Sequence, residues 1–147
     1  MRRCAYAWLV IGLALVTPSL AQAQLDTTRR GDRVELLQNY PNPFNPTTTI
    51  PFRLNADLFA NGHRPVATLR IYNILAQLVA IPVLQGTGEP LNGVRLDCVD
   101  QSGGYCNFSA YWDGTYLNTG REAASGIYVY QLIVDGVSQS KKMVVTK

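Results

Sequence analysis

An enzyme needs a nucleophile beside a base, a carboxylate pair in a cleft, or a bound metal. The one histidine, His63, stands in Asn61-Gly62-His63-Arg64-Pro65, a polar, turn-like stretch that places it on a surface loop rather than in a catalytic role. Asp97 and Asp100 lie close to Cys98. Aspartates so placed stabilise turns, and their spacing matches no calcium-loop signature. Zinc prefers four ligands in close pairs, which Cys98, Cys106 and a distant His63 do not supply. Asn107-Phe108-Ser109 fits the glycosylation sequon. Tyr111, Trp112 and Tyr116 offer stacking surfaces of the kind that a small carbohydrate-binding module uses. Tyr128 and Tyr130 share a strand face with Leu132, as core residues or as a half-exposed aromatic stripe. The chain is therefore expected to be no enzyme and to hold no cofactor or metal.

The compartment decides what the cysteines do. Arg2 and Arg3, an apolar run over residues 5–16 and the small residues of Ala21-Gln22-Ala23 predict a signal peptide over residues 1–23. The run falls short of the roughly 20 apolar residues of a membrane span, and no later stretch approaches that length, so the mature chain is expected to lack a transmembrane segment. Cys4 lies within the signal, where it cannot carry a lipid after cleavage. The expected route is export through the inner membrane, with the periplasm in transit and the cell surface or exterior as destination. Disulfides persist there, and Gly103 and Gly104 let the chain fold back between Cys98 and Cys106. Loss of Arg2 and Arg3 with the signal leaves acidic and basic residues nearly balanced, so nucleic acid is not an expected partner. Residues 24–33, with Arg29-Arg30-Gly31-Asp32-Arg33, read as a flexible, solvated leader.

The elements that must position these residues are strands. Thr48, Ile50, Phe52 and Leu54 alternate with Thr47, Thr49 and Arg53, the two-residue period of a half-buried strand. Pro51 cannot donate to a ladder and predicts a sheet edge or a bulge there. Ala67, Leu69 and Ile71 alternate with Thr68 and Arg70, and residues 78–84 read as a further strand. Near the end, two β-branched and aromatic runs flank Asp135-Gly136, the signal of a type I′ hairpin. Trp112, followed by Asp113-Gly114, reads as a core side chain at a strand end. About seven strands at hairpin spacing predict an all-β fold over residues 34–147, an antiparallel sandwich of two packed sheets.

The segment Asn39-Tyr40-Pro41-Asn42-Pro43-Phe44-Asn45-Pro46 is stiff, because each proline fixes φ and disfavours helix in the residue before it. Its asparagines hold turns by bonding nearby backbone, and Tyr40 and Phe44 are expected to tuck it against the sandwich. This string is followed in order by Tyr72-Asn73-Ile74-Leu75-Ala76, by Trp112-Asp113-Gly114, by Gly126-Ile127-Tyr128 and by Lys141-Lys142-Met143. The ordered set closely resembles the C-terminal sorting domains of the type IX secretion system, and the immunoglobulin-like domain of the flagellar hook-capping protein looks similar. The resemblance spans residues 36–147. It implies a bacterial, immunoglobulin-like sandwich that directs cargo through an outer-membrane translocon and its processing machinery, with these motif residues as the sorting elements. Lys141, Lys142 and Lys147 would then face the translocon, anionic lipopolysaccharide or surface proteins. A structural or adhesive surface subunit that keeps the domain is the alternative. The family's domain usually ends a larger secreted protein, whereas only a short leader precedes it here. Ala76 stands where the pattern usually has glycine, and residues 85–107 are longer than expected and suited to a lip or recognition loop.

Overall fold

The tightest local feature is the hairpin turn at Asp135-Gly136, whose φ values of 46° and 82° are both positive, as a type I′ turn requires. It joins β9 (Gly126–Val134) to β10 (Val137–Val145), paired in register from Val134↔Val137 to Gly126↔Val145. The computed structural model describes residues 32–117 and 119–147. The signal peptide expected at 1–23 and nearly all of the leader expected at 24–33 lie outside the described residues. Among the described residues no helix is long and apolar enough to cross a membrane.

The other strands are β1 (Val34–Leu36), β2 (Thr48–Asn55), β3 (Val66–Tyr72), β4 (Leu78–Ala80), β5 (Val83–Leu84), β6 (Asn92–Arg95), β7 (Gln101–Ser102) and β8 (Tyr105–Trp112). A 3-10 segment, Ala56–Gly62, links β2 to β3. One sheet runs β1-β2-β8-β5 with β7 also on β8, and the other runs β10-β9-β3-β4 with β6 also on β3. Every strand pair is antiparallel. In immunoglobulin terms these orders are A-B-E-D against G-F-C-C′, so the fold is an all-β immunoglobulin-like sandwich. Among the described residues ten strands form rather than about seven. The apolar run at 78–84 breaks at Ile81-Pro82 into β4 and β5 on opposite sheets, and residues 85–107 contain β6 and β7 of their own.

The alternation places Thr48, Ile50, Phe52 and Leu54 of β2 and Ala67, Leu69 and Ile71 of β3 in the core, facing Tyr128, Tyr130, Leu132 and Val134 of β9. Pro51 corrects its own expectation, because β2 lies between β1 and β8 and shows no bulge at Pro51. The proline is tolerated because β1 ends at Leu36 and no strand residue awaits its missing N–H. The Pro51 carbonyl still accepts from Leu37 N at 3.0 Å.

Residues 85–107 form the expected lip, but part of it belongs to the core: Leu91, Val94 and Leu96 are buried. The Cys98–Cys106 disulfide ties this lip to β8 across Cα atoms 5.3 Å apart. Replacing both cysteines with alanine is expected to lower stability by about 2–3 kcal/mol, as loop-closure entropy returns to the unfolded chain. Urea unfolding of the variant and the parent measures this, and equal midpoints would contradict it.

The turn Asn73 to Gln77 tests the Ala76 departure. Ala76 keeps a left-handed backbone, φ 58°, despite its Cβ. Asn73 Oδ1 holds the turn by accepting from Leu75 N and Gln77 N, both at 3.0 Å. Ala76→Gly should therefore stabilise the protein by about 0.5–1 kcal/mol, since glycine adopts positive φ without the steric cost. A lower melting temperature would show that the turn is not strained.

Candidate functional site

The missing Pro51 N–H has a consequence at the neighbouring chain. The Leu37 carbonyl, left without a ladder donor, accepts instead from the Tyr130 hydroxyl at 2.9 Å, and that same hydroxyl accepts from Asn39 N at 3.1 Å. Tyr130 is fully buried, so its phenol reaches through the core to hold the start of the proline-rich segment. Burial pushes its pKa up. Asn39, also buried, donates through Nδ2 to the Pro41 carbonyl at 3.1 Å and to Thr48 Oγ1 at 3.0 Å, and Thr48 Oγ1 donates in turn to the Pro41 carbonyl. Tyr130→Phe leaves the partly buried Leu37 carbonyl and the buried Asn39 N–H without partners. It is expected to cost about 2 kcal/mol in chemical denaturation; no measurable change would mean that the phenol does not hold this segment.

Further along, the segment pairs with the last strand. Phe44 N donates to the Val144 carbonyl and Thr146 N to the Phe44 carbonyl, both at 3.0 Å, while Val144 N donates to Asn42 Oδ1 at 3.0 Å. Asn42 and the Phe44 backbone thus cover the last part of the outer edge of β10, at Val144, which would otherwise offer open ladder groups. The Phe44 ring meets Trp112 edge-on at 5.5 Å, and Trp112 meets Tyr128 edge-on at 5.8 Å. Trp112 Nε1 donates to the Thr115 carbonyl at 2.9 Å, and Asp113 Oδ1 accepts from Thr115 N and its hydroxyl, so the turn after β8 closes around the indole. Gly114, at φ 78°, lies where an added Cβ would run into the Pro46 carbonyl. Tyr128 donates to the Ala124 carbonyl at 2.9 Å. Burial, aided by the Tyr116 hydroxyl 3.4 Å away, pushes its phenol up to about 12.

The structure therefore gathers Asn39, Phe44, Trp112, Gly114, Tyr128 and Met143 into one packed end of the sandwich, with Gly126 starting β9 beside them. Pro41, Asn42, Pro43, Asn45 and Pro46 coat its outside. Lys141 and Lys142 project from β10, and Lys147 pairs with Glu122 at 3.0 Å. Two expectations change. Tyr40 does not tuck inward and is 58% exposed; its backbone is held by reciprocal bonds with Thr49 at 2.9 Å. Trp112 is only 2% exposed, so it offers no stacking face to a sugar, and Tyr128 and Tyr130 are core residues rather than an exposed stripe.

The remaining candidates lie apart from this end. His63 Nε2 meets Asp135 Oδ2 at 2.8 Å beside the β9–β10 turn, and Asp135 Oδ1 accepts from Val66 N. Arg64 grips both oxygens of Asp97 at 2.6 Å. That contact raises the guanidinium pKa. A cleft of about 730 Å³ under the lip is lined by Leu84, Val94, Leu96 and Phe108 with Arg95 and Asp100. Among the described residues no group of three or more His, Cys, Asp or Glu is placed to hold a metal.

Gln139 escaped the sequence reading. It sits at an inward position of β10, where its amide accepts from Leu36 N at 2.8 Å and donates to the Val34 carbonyl, clipping the free edge of β1 to the opposite sheet. A glutamine on the alternation that carries Val137, Met143 and Val145 is the one signal that pointed to it.

No family model matches the chain, and no curated protein matches it. Among solved structures it is similar to PorZ, an essential bacterial surface component of the type IX secretion system of Porphyromonas gingivalis, at 16% identity and a TM-score of 0.44 over 82% of this chain. It is also similar to the alkylpurine DNA glycosylase AlkC of Pseudomonas fluorescens, at 14% identity and a TM-score of 0.40 over 86% of this chain and 37% of that one. The CooA pilin subunit of enterotoxigenic Escherichia coli aligns at 16% identity and a TM-score of 0.30, covering 77% of this chain and 94% of the pilin. The chain spans 12% of the PorZ chain.

Proposed function

We propose that this domain is a non-catalytic secretion-sorting and cell-surface attachment module recognised by the type IX secretion machinery. The supporting observation is convergence. Four motif segments separated along the sequence, at 39–46, 112–114, 126–128 and 141–143, fold into one end of the sandwich, bound through Tyr130, Trp112 and the last strand. Their polar and proline-rich parts face outward there, where a translocon or its processing machinery would meet them. A reporter fused to residues 34–147 in a host with a type IX system is expected on the surface or in the medium; retention in the periplasm would refute the reading.

One feature favours the structural alternative. Met143 and Val145 belong to the core and β10 pairs along its whole length with β9, so a cut within β10 would dismantle the fold. Intact mass of surface material separates the readings: a species still containing residues 128–147 points to a retained subunit, and a shortened one to a removed sorting domain.

A further inference from the structure

The five strands of the sheet built on β10-β9-β3-β4, with β6, contain no acidic residue, while Arg70, Arg95, Lys141 and Lys142 are their cations. Among the described residues none of these four forms an ion pair. Alternation buries Leu69 and Ile71 of β3 and leaves Arg70 and Tyr72 on the outer face, as it does Ile127 and Val129 on β9 and Lys142 on β10. The register lays Lys142, Val129, Tyr72 and Leu78 in one row across four strands. Ile127 stands in the next row towards the motif end, and Arg70 in the row behind. Asp113 and Glu122 lie on the β8–β9 connection, off this sheet, and Glu122 pairs with Lys147.

The apolar part of the row runs on into a turn. Tyr72 and Leu78 flank Asn73 to Gln77, where Ile74 and Leu75 are 77% and 72% exposed. Asn73 Oδ1 holds that turn through Leu75 N and Gln77 N, so displaying the pair costs little conformational freedom on binding. Leu78 and Ile127 are exposed beside it. An apolar patch of this kind marks a protein or a membrane interface. Two copies packed through this face would bring their sheets roughly 10 Å apart, with unpaired cations on both and no strand carboxylate to offset them. A polypeptide partner would need a pocket shaped to Ile74 and Leu75. A bilayer interface needs none: it takes apolar side chains from a rigid tip while its phosphates meet cations held beside them.

We propose that the outer face of this sheet, led by the Ile74-Leu75 turn, docks on an anionic phospholipid bilayer. Ile74, Leu75, Leu78 and Ile127 enter the interface, and Lys142 and Arg70 meet lipid phosphates. This rests on the reading of the domain as a cell-surface module and adds the surface that it meets. Every strand of both sheets lies within residues 34–147, so that domain is the test protein. It is sedimented with vesicles of phosphatidylcholine and phosphatidylglycerol in equal parts, and with vesicles of phosphatidylcholine alone. The anionic vesicles should carry it down at low salt, less so at high salt, and the neutral ones should not. The double variants Ile74→Asp/Leu75→Asp and Arg70→Glu/Lys142→Glu should each weaken binding about tenfold or more. Lys142→Gln, at an exposed position, should weaken it about fivefold, while Val99→Asp on the lip should leave it unchanged. Matching melting temperatures confirm that the variants fold. No binding, equal binding to both vesicles, or an equal loss in Val99→Asp would overturn the proposal. So would capture of a glutamate-flanked leucine peptide without vesicle binding, or a dimer abolished by Ile74→Asp/Leu75→Asp in a protein that ignores vesicles. If the reporter fusion reaches the surface while the vesicles go unbound, only this inference falls; a fusion trapped in the periplasm defeats the sorting reading instead.

Discussion

Gly114→Ala is expected to destabilise the protein by about 2–5 kcal/mol, because two costs add. Alanine at φ 78° pays the left-handed penalty of about 1–2 kcal/mol. Its Cβ also runs into the Pro46 carbonyl, a backbone atom that moves only if the proline-rich segment moves. Gly120 separates the two costs: at φ 61° it has nothing within 4 Å of an added Cβ. Gly120→Ala should therefore lose only the backbone cost, about 1 kcal/mol. Guanidinium unfolding of both variants reads the difference. Equal losses would mean that Gly114 does not touch the segment.

Trp112→Ala is the second large effect, expected at about 3–5 kcal/mol. The indole joins Phe44 of the docked segment to Tyr128 of the opposite sheet, so its removal opens a cavity and also releases the Thr115 carbonyl. Trp112→Phe should recover part of the packing without the hydrogen bond and fall between parent and alanine variant. A loss below about 1 kcal/mol for the alanine variant would show that the segment is held without the indole.

Strand content and facing were open to reading because both follow from local rules. Side chains alternate with period two, and Asp-Gly suits a turn with two positive φ values, so β2, β3 and the β9–β10 hairpin needed no knowledge of their partners. Sheet order was not open in the same way. Pro51 argues locally for an edge, yet β2 sits inside its sheet because β1 is short enough to end before the proline, a fact about a different segment. The same holds for the run at 78–84, which looks continuous until Pro82 sends its two halves to opposite sheets. In the candidate site, the proline spacing announced a stiff stretch and Trp112 a core residue. The contacts that fix the chain just before that stretch, Tyr130 to Leu37 and Gln139 to Val34, cross about 90 residues or more of chain and leave no periodic trace. Tyr40 and Phe44 show the limit most plainly: both are aromatic neighbours of asparagine and proline, and only the edge of β10 decides that Phe44 goes in and Tyr40 stays out.

The functional reading depends on the proline-rich segment being an integral part of the sandwich end rather than a tether lying over it. Amide hydrogen exchange measures this directly. The N–H groups of Asn39, Phe44, Val144 and Thr146 should exchange as slowly as those in the middle of β9, since each is held by a bond across the docked segment. Exchange of these four as fast as that of the exposed Gly86 and Thr87 would contradict it, because the segment would then be free of the end of β10.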